Sequence, residues 1–325
     1  MTITVTPVPA QPFGIVSTKE SSISAQRKDS ALSKLASLID RCTPHSGCIV
    51  LPMEGVRVFK STEKLYDVVP VLSKPGLCIV AQGQKCVKIG QDQYEYGESS
   101  IAIYPAELPV NSSIVGASPE KPYLCVVVDI DVNKLTELVS KIFVSQAPMT
   151  KSFQPLYVGD ADPKIIDAAT RLLELYTNQD EMHLLYPLIV EEILIRLLKS
   201  PVGAHVAQLG VADSNMLKIT KAINWLNDHF EQPVKVDELA NLSNMSPSSF
   251  HQHFKNITSM TPVQYQKNLR LQQARQLMFY QTVDVSEACL RVGYASLSQF
   301  SREYSRYFGN SPTKDVNAFR QGILN

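Results

Sequence analysis

Between Val236 and Phe308 the chain states nearly the same pattern twice. The first statement is VDELANLSNMSPSSFHQHFK, Val236 to Lys255, and the second is VSEACLRVGYASLSQFSREYSRYF, Val285 to Phe308. Phe250 and Phe254 return as Phe300 and Tyr304, 50 residues later; upstream of the turn the offset is 49, so Met245 matches Tyr294 and Ala240 matches Cys289. Each copy reads as two short helices joined by a tight turn. Two such units at a fixed interval are what a chain needs to lay two helices into successive major grooves of a duplex.

The residues of each copy carry that geometry. In the first, Asp237 and Glu238 fall in the opening turn of a short helix, where negative charge complements the dipole. Ala240 leaves room for a crossing helix, Ser243-Asn244 supplies the turn, Ser246 caps the next helix and Pro247 begins it. Phe250 and Phe254, four apart, point to the core and leave Ser248, His251, Gln252 and Lys255 on the opposite face. In the second, Asp284 with Glu287 and Ser296 with Gln299 read as capping boxes, and Gly293 as the left-handed turn residue. Phe300 and Tyr304 turn inward, so Ser298, Gln299, Arg302 and Arg306 face out. A short polar set on such a face suits base edges and phosphates, which makes these eight residues the candidate DNA contacts. Between the copies, Thr261-Pro262 opens a long helix to Phe279 that fixes their separation. Lys267, Arg270 and Arg275 on it are open to two readings, phosphate contact or surface charge and internal ion pairs.

Charge adds modest support. Lys+Arg and Asp+Glu number 31 each over the 325 residues, but residues 213–325 hold 12 basic against 9 acidic groups. Upstream the texture differs. Residues 1–29 carry Pro, Thr, Ser and Gln without periodicity and are expected to be a disordered extension, followed by a short helix from Ser30 to Asp40. From Cys48 to Asp131, short runs such as VRVF, LCIVAQG, KCVKIG, SIAIYP and YLCVVVDI are bounded by turn residues, which predicts an antiparallel barrel or sandwich. After Asp131 the period changes to 3.6. Helices are expected over Val132–Ser145, from the Asp162 cap with Pro163 at its first position, and over His183–Lys199. The last has an apolar arc wider than one buried stripe, which leaves open packing on the barrel alone or burial by a second copy of the chain. Residues 201–214, with two glycines and many small residues, read as an interdomain linker, giving an effector domain over 30–200 and a helical domain over 215–325.

The repeat is identified with a known family at LA (239–240), MSPSSFHQHFK (245–255), TPVQYQKNLRLQQARQLM (261–278), VGYASLSQFSREYSRYFG (292–309) and SP (311–312). This stretch of about 100 residues resembles the AraC/XylS family of bacterial transcription regulators. The N-terminal half is similar to the cupin-type regulatory domain of one AraC subgroup at KPGLCIVAQGQKCVKIGQDQYEYGE (74–98), ELPVNSSIV (107–115), KPYLCVVVDID (121–131) and YPLIVEEILIRLLKSPVG (186–203). Cys289 stands where that family usually has alanine. The resemblance implies an α+β two-domain fold: a cupin-like antiparallel β-barrel with a helical hairpin, then an all-α domain of two helix-turn-helix units joined by a linker helix. It also implies promoter DNA and RNA polymerase as partners, a small-molecule effector in the barrel, and a homodimer through helices 162–199.

Rival classes are weaker. A cupin-fold oxygenase needs two or three His with an acid as metal ligands, and the barrel region has no His after His45. A fused methyl-acceptor enzyme needs an activated Cys, and the spacings of Cys42, Cys48, Cys78, Cys86, Cys125 and Cys289 do not match such a site. A purely architectural DNA binder has no use for some 200 residues of barrel and helices. A regulator without enzymatic activity, metal or cofactor is therefore expected. Within it, Cys78, Cys86 or Cys125 could sense an electrophile or oxidant, against the default of buried inert thiols. The N-terminus lacks the order of an export signal and no run is long enough to span a bilayer, so a cytoplasmic location is expected.

Overall fold

Helix α1 (Thr18–Cys42) lays Leu32, Leu35, Leu38, Ile39 and Cys42 along one buried face, against the barrel and a later helix. The computed structural model describes residues 18–144, 147–148, 153–211 and 213–323. The helix expected from Ser30 begins at Thr18; residues 1–17 of the expected N-terminal extension lie outside the described residues. Residues 18–29 contain neither Pro nor Gly, so nothing in their polar composition stops the helix.

Ten strands follow in two antiparallel sheets. The first sheet has the order β1 (Gly47–Val50), β2 (Val56–Ser61), β9 (Tyr123–Asp129), β4 (Gly76–Gln82), β7 (Ser100–Tyr104) and β10 (Tyr157–Asp160). The second has β3 (Leu65–Ser73), β8 (Leu108–Gly116), β5 (Gln84–Ile89) and β6 (Asp92–Gly97). This is the expected antiparallel barrel, with Gly83 (φ +82°) and Gly90 (φ +59°) at its tight turns. Val87 and Ile89 are fully buried, as their alternation predicts.

Helices α2 (Val132–Ile142), α3 (Pro163–Glu174), α4 (Gln179–Leu198) and α5 (Gly203–Gly210) complete the N-terminal domain. Asp162 caps α3 through Lys164 N, and α3 with α4 forms the helical hairpin. The 201–214 segment, expected as a linker, does join the domains, but as the packed helix α5 on α2 and α4. Its glycines serve close approach rather than freedom. A Cβ on Gly203 would collide with the Leu198 carbonyl, and one on Gly210 would sit 3.0 Å from the Leu135 backbone.

The C-terminal domain is all helical: α6 (Asn215–Asp228), α7 (Val236–Leu242), α8 (Pro247–Thr258), α9 (Pro262–Tyr280), α10 (Val285–Arg291), α11 (Leu297–Phe308) and α12 (Pro312–Ile323). Helices α7–α8 and α10–α11 are the two expected units and α9 the connecting helix. Among the described residues no helix is long and apolar enough to cross a membrane.

Candidate nucleic-acid interface and barrel cavity

The second helix of each unit is set by a serine and a buried aromatic pair. Ser246 Oγ accepts the Ser249 N–H and Ser296 Oγ accepts that of Gln299. Phe250 and Phe254 stack 5.5 Å apart in one unit, Phe300 and Tyr304 5.5 Å apart in the other, all four fully buried. With that face fixed, Ser248, His251, Gln252 and Lys255 on α8 are exposed, and so are Ser298, Gln299, Arg302 and Arg306 on α11. Asp284 accepts the Glu287 N–H, yet among the described residues the reciprocal capping box forms only at Thr261–Gln264. Asn244 (φ +51°) and Gly293 (φ +83°) take the same left-handed turn position in the two copies.

On α9 the two readings of the cations now separate. Arg270 donates to the carbonyls of Phe230, Glu231, Gln232 and Gly293, tying the α6–α7 loop to the turn of the second unit. Arg275 pairs with Asp315 at 2.7 Å and lies over the rings of Phe279 and Phe308. Both are internal struts, leaving Lys267 as the half-buried cation of that set.

The barrel encloses a cavity of about 860 Å³, lined on the apolar side by Phe59, Leu65, Leu72, Val110, Ile114 and Val127. Cys48, Cys78, Cys125, Tyr104 and Lys85 also face it. Of the three strand cysteines considered from sequence, Cys86 is not in the lining; it alternates with buried Val87 on β5 and so points outward. Cys48, on an edge strand the sequence did not mark, takes its place. The Cys78 thiol hydrogen-bonds to Cys125, which lowers the Cys125 pKa while raising that of Cys78; Lys85, Tyr123 and Arg57 assist the Cys125 thiolate against burial. Among the described residues no group of three His, Cys, Asp or Glu is placed to hold a metal ion.

Strand β8 connects the cavity to the helical domain. Val110, Ser112 and Ile114 line the cavity, while Asn111 between them reaches the Tyr307 hydroxyl of α11. Gln272 of α9 donates to the Val110 carbonyl at 3.4 Å and to the same Tyr307 hydroxyl at 3.1 Å. At the start of β8, the Tyr265 hydroxyl donates to the Glu107 carbonyl at 2.8 Å and Asn227 to the Glu107 carboxylate at 3.0 Å. The β5–β6 turn adds a bond from Ser259 to Asp92.

Two family models match the chain. Residues 52–205 match the N-terminus of AraC-type transcriptional regulators, and residues 239–317 match a helix-turn-helix domain. The transcriptional activator RhaS of Klebsiella pneumoniae (strain 342) is 29% identical over 133 residues, 41% of this chain and 45% of RhaS. RhaS of Escherichia coli O1:K1 / APEC is 30% identical over 112 residues, 34% of this chain and 40% of that protein. The chain thus matches less than half the length of these relatives. Among solved structures, ToxT of Vibrio cholerae strain SCE256 with an unsaturated fatty acid bound has a TM-score of 0.53 at 12% identity, covering 80% of this chain and 94% of ToxT. An apo ToxT variant of the same strain has a TM-score of 0.54 at 11% identity, covering 82% and 98%. That likeness is one of fold.

Proposed function

The chain belongs to the AraC/XylS family of transcription regulators, and from that premise we propose that it reads promoter DNA under the control of a small molecule held in the barrel. Helices α8 and α11 enter successive major grooves, their contact points about one helical turn apart, roughly 34–36 Å. Ser248, His251, Gln252, Lys255, Ser298, Gln299, Arg302 and Arg306 contact bases and phosphates; their exposure on one face of each helix supports the assignment.

One observation carries the control: β8 lines the cavity with alternate side chains and meets α9 and α11 with its other face. A ligand that displaces Val110 or Ile114 must also move the strand that holds Gln272 and Tyr307. Effector binding then shifts the balance between two arrangements of the helical domain by its different affinity for each. The relatives are named activators, which supports contact with RNA polymerase as the output. A second copy pairs through α3 and α4, supported by Leu184 and Leu188, which stand 76% and 62% exposed on α4 while its C-terminal half is buried.

The test is selection of bound duplexes from a random pool. A site with two conserved segments one turn apart is expected; recovery of no preferred sequence would remove the reading. A second reading is favoured by the Cys78–Cys125 pair, whose lowered Cys125 pKa makes it the nucleophile for an electrophilic effector or an oxidant. Cys125→Ser separates the two: retained control excludes sensing by thiol.

A further inference from the structure

We propose that the cavity is a receptor for an organic monocarboxylate with an apolar body, and that Lys85 takes its anionic end. This rests on reading the cavity as the effector site, and names the chemical class that site accepts.

Four cations line the cavity: Arg57, Lys60, Lys74 and Lys85. Arg57 is held by Asp129 at 2.6 Å and Lys60 by Asp40 at 2.6 Å. Lys74 is exposed at the rim, in the field of Glu107. Lys85 is different. Among the described residues no carboxylate lies within ion-pair distance of it, and the groups acting on it are Tyr104, Cys78, Cys125 and Cys48. The one carboxylate among the lining residues, Glu63, is exposed. Desolvation works against the Lys85 ammonium, but those phenol and thiol groups bring its pKa above the usual lysine value, so it is charged at neutral pH.

The ammonium is held by phenol and thiol groups and has no carboxylate beside it, in a largely apolar chamber where a full negative charge would be its natural partner. A carboxylate supplies it through charge-assisted hydrogen bonds. Tyr104, whose hydroxyl is 2.9 Å from that of Tyr96, lines the same chamber and can turn its hydroxyl toward the second carboxylate oxygen. Phe59, Leu65, Leu72, Val110, Ile114 and Val127 in the same wall suit an apolar body, and the excess of cations in the lining disfavours an amine.

The experiment uses the full chain and three matched probes, 4-phenylbutyrate, 4-phenylbutanol and 4-phenylbutylamine, with binding read by calorimetry and by thermal shift. The carboxylate should bind on the order of tenfold to a hundredfold more tightly than the alcohol, the worth of one charge-assisted hydrogen bond, and the amine most weakly. Lys85→Met should erase that preference while leaving the alcohol's affinity, and Lys85→Arg should restore it. Equal affinity for carboxylate and alcohol, or a preference that survives in Lys85→Met, overturns the proposal, as does failure of all three probes to bind. If Lys85→Met does not fold, the ranking on the wild-type chain still decides. DNA affinity measured with each probe separates the two layers. Lys85-dependent carboxylate binding that leaves DNA affinity unchanged keeps the anion site and removes the effector reading. Control by the alcohol as strong as by the carboxylate keeps the effector reading and removes the anion class.

Discussion

The first helix-turn-helix unit is continuous with the barrel, whereas the second has a core of its own. One apolar cluster runs from Leu32 through the strands to Phe254, Ile257 and Leu269; a separate one begins at Leu271 and holds Phe300, Tyr304 and Val316. The helices on either side of the first unit are also fastened to the barrel, by Glu107 to Asn227 of α6 and Tyr265 of α9, and the end of α8 is fastened by Asp92 to Ser259. The second meets the barrel through Tyr307, reached by Asn111 and Gln272. Their outer faces differ in the opposite sense, since the anchored α8 carries one full cation, Lys255, and α11 carries Arg302 and Arg306. Two nearly repeated sequences thus differ in setting: the first unit shares its core with the regulatory domain, and the second carries more cations on its outer helix face.

The largest expected effect tests whether the cores are separate. Asp315 is 7% exposed, accepts Arg275 at 2.7 Å and the Tyr304 hydroxyl at 2.6 Å, and closes the second core. Asp315→Ala removes the carboxylate that joins Arg275 to the Tyr304 hydroxyl and should cost about 3–5 kcal/mol. Hydrogen exchange should show lost protection over 283–320 with the barrel and first unit protected as before. Loss of protection throughout would mean that the two units melt as one.

Next is the fastening of the first unit. Gly90 combines φ +59° with a backbone so close to Ser259 that a Cβ would strike its carbonyl. Gly90→Ala should cost about 1–3 kcal/mol in backbone strain and loosen the barrel from α8. The barrel should still bind its ligand while DNA affinity stops responding to it. A variant that keeps full control would show that coupling runs through β8 alone.

On DNA, the asymmetry predicts unequal losses. Arg302→Ala should weaken specific binding by about 1–3 kcal/mol if the guanidinium reads a guanine, with relaxed preference at one position. If it touches phosphate, binding should fall alike for all sequences and the salt slope should flatten. His251→Ala and Gln252→Ala should each cost less. Equal losses from the two helices would erase the distinction drawn between the units.

Much of this was legible in the residues. Helical period, the Ser-Pro and Thr-Pro starts and the paired aromatics specify α8, α9 and α11, because each signal is local. What sequence missed depends on contacts distant along the chain. Strand β8 carries the polar run Asn111-Ser112-Ser113 and is not among the apolar strand-like runs of the sequence; as a strand it has one face on a cavity and the other on α9 and α11. Gly203 and Gly210 read as linker glycines and are contact points of α5. Arg270 is open by sequence to phosphate contact or to internal pairing, and four carbonyls from two separate loops claim it.

The smallest effect concerns Glu107, where the barrel meets α6 and α9. Burial raises its pKa, opposed by the Asn227 amide and by Lys74. The folded protein therefore holds this proton more firmly than the unfolded chain. Its contribution to stability should rise as pH falls through that raised pKa and fade as the carboxylate ionises. Glu107→Gln keeps an acceptor for the Asn227 amide and removes the buried charge, so it should stabilise the neutral-pH protein by under about 1 kcal/mol. Thermal unfolding of both forms between pH 4 and 7 measures this. The gain of the variant should shrink toward the acid end, where wild-type Glu107 is already neutral. A gain independent of pH would mean that the carboxylate is not what limits the docking of α6 and α9 on the barrel.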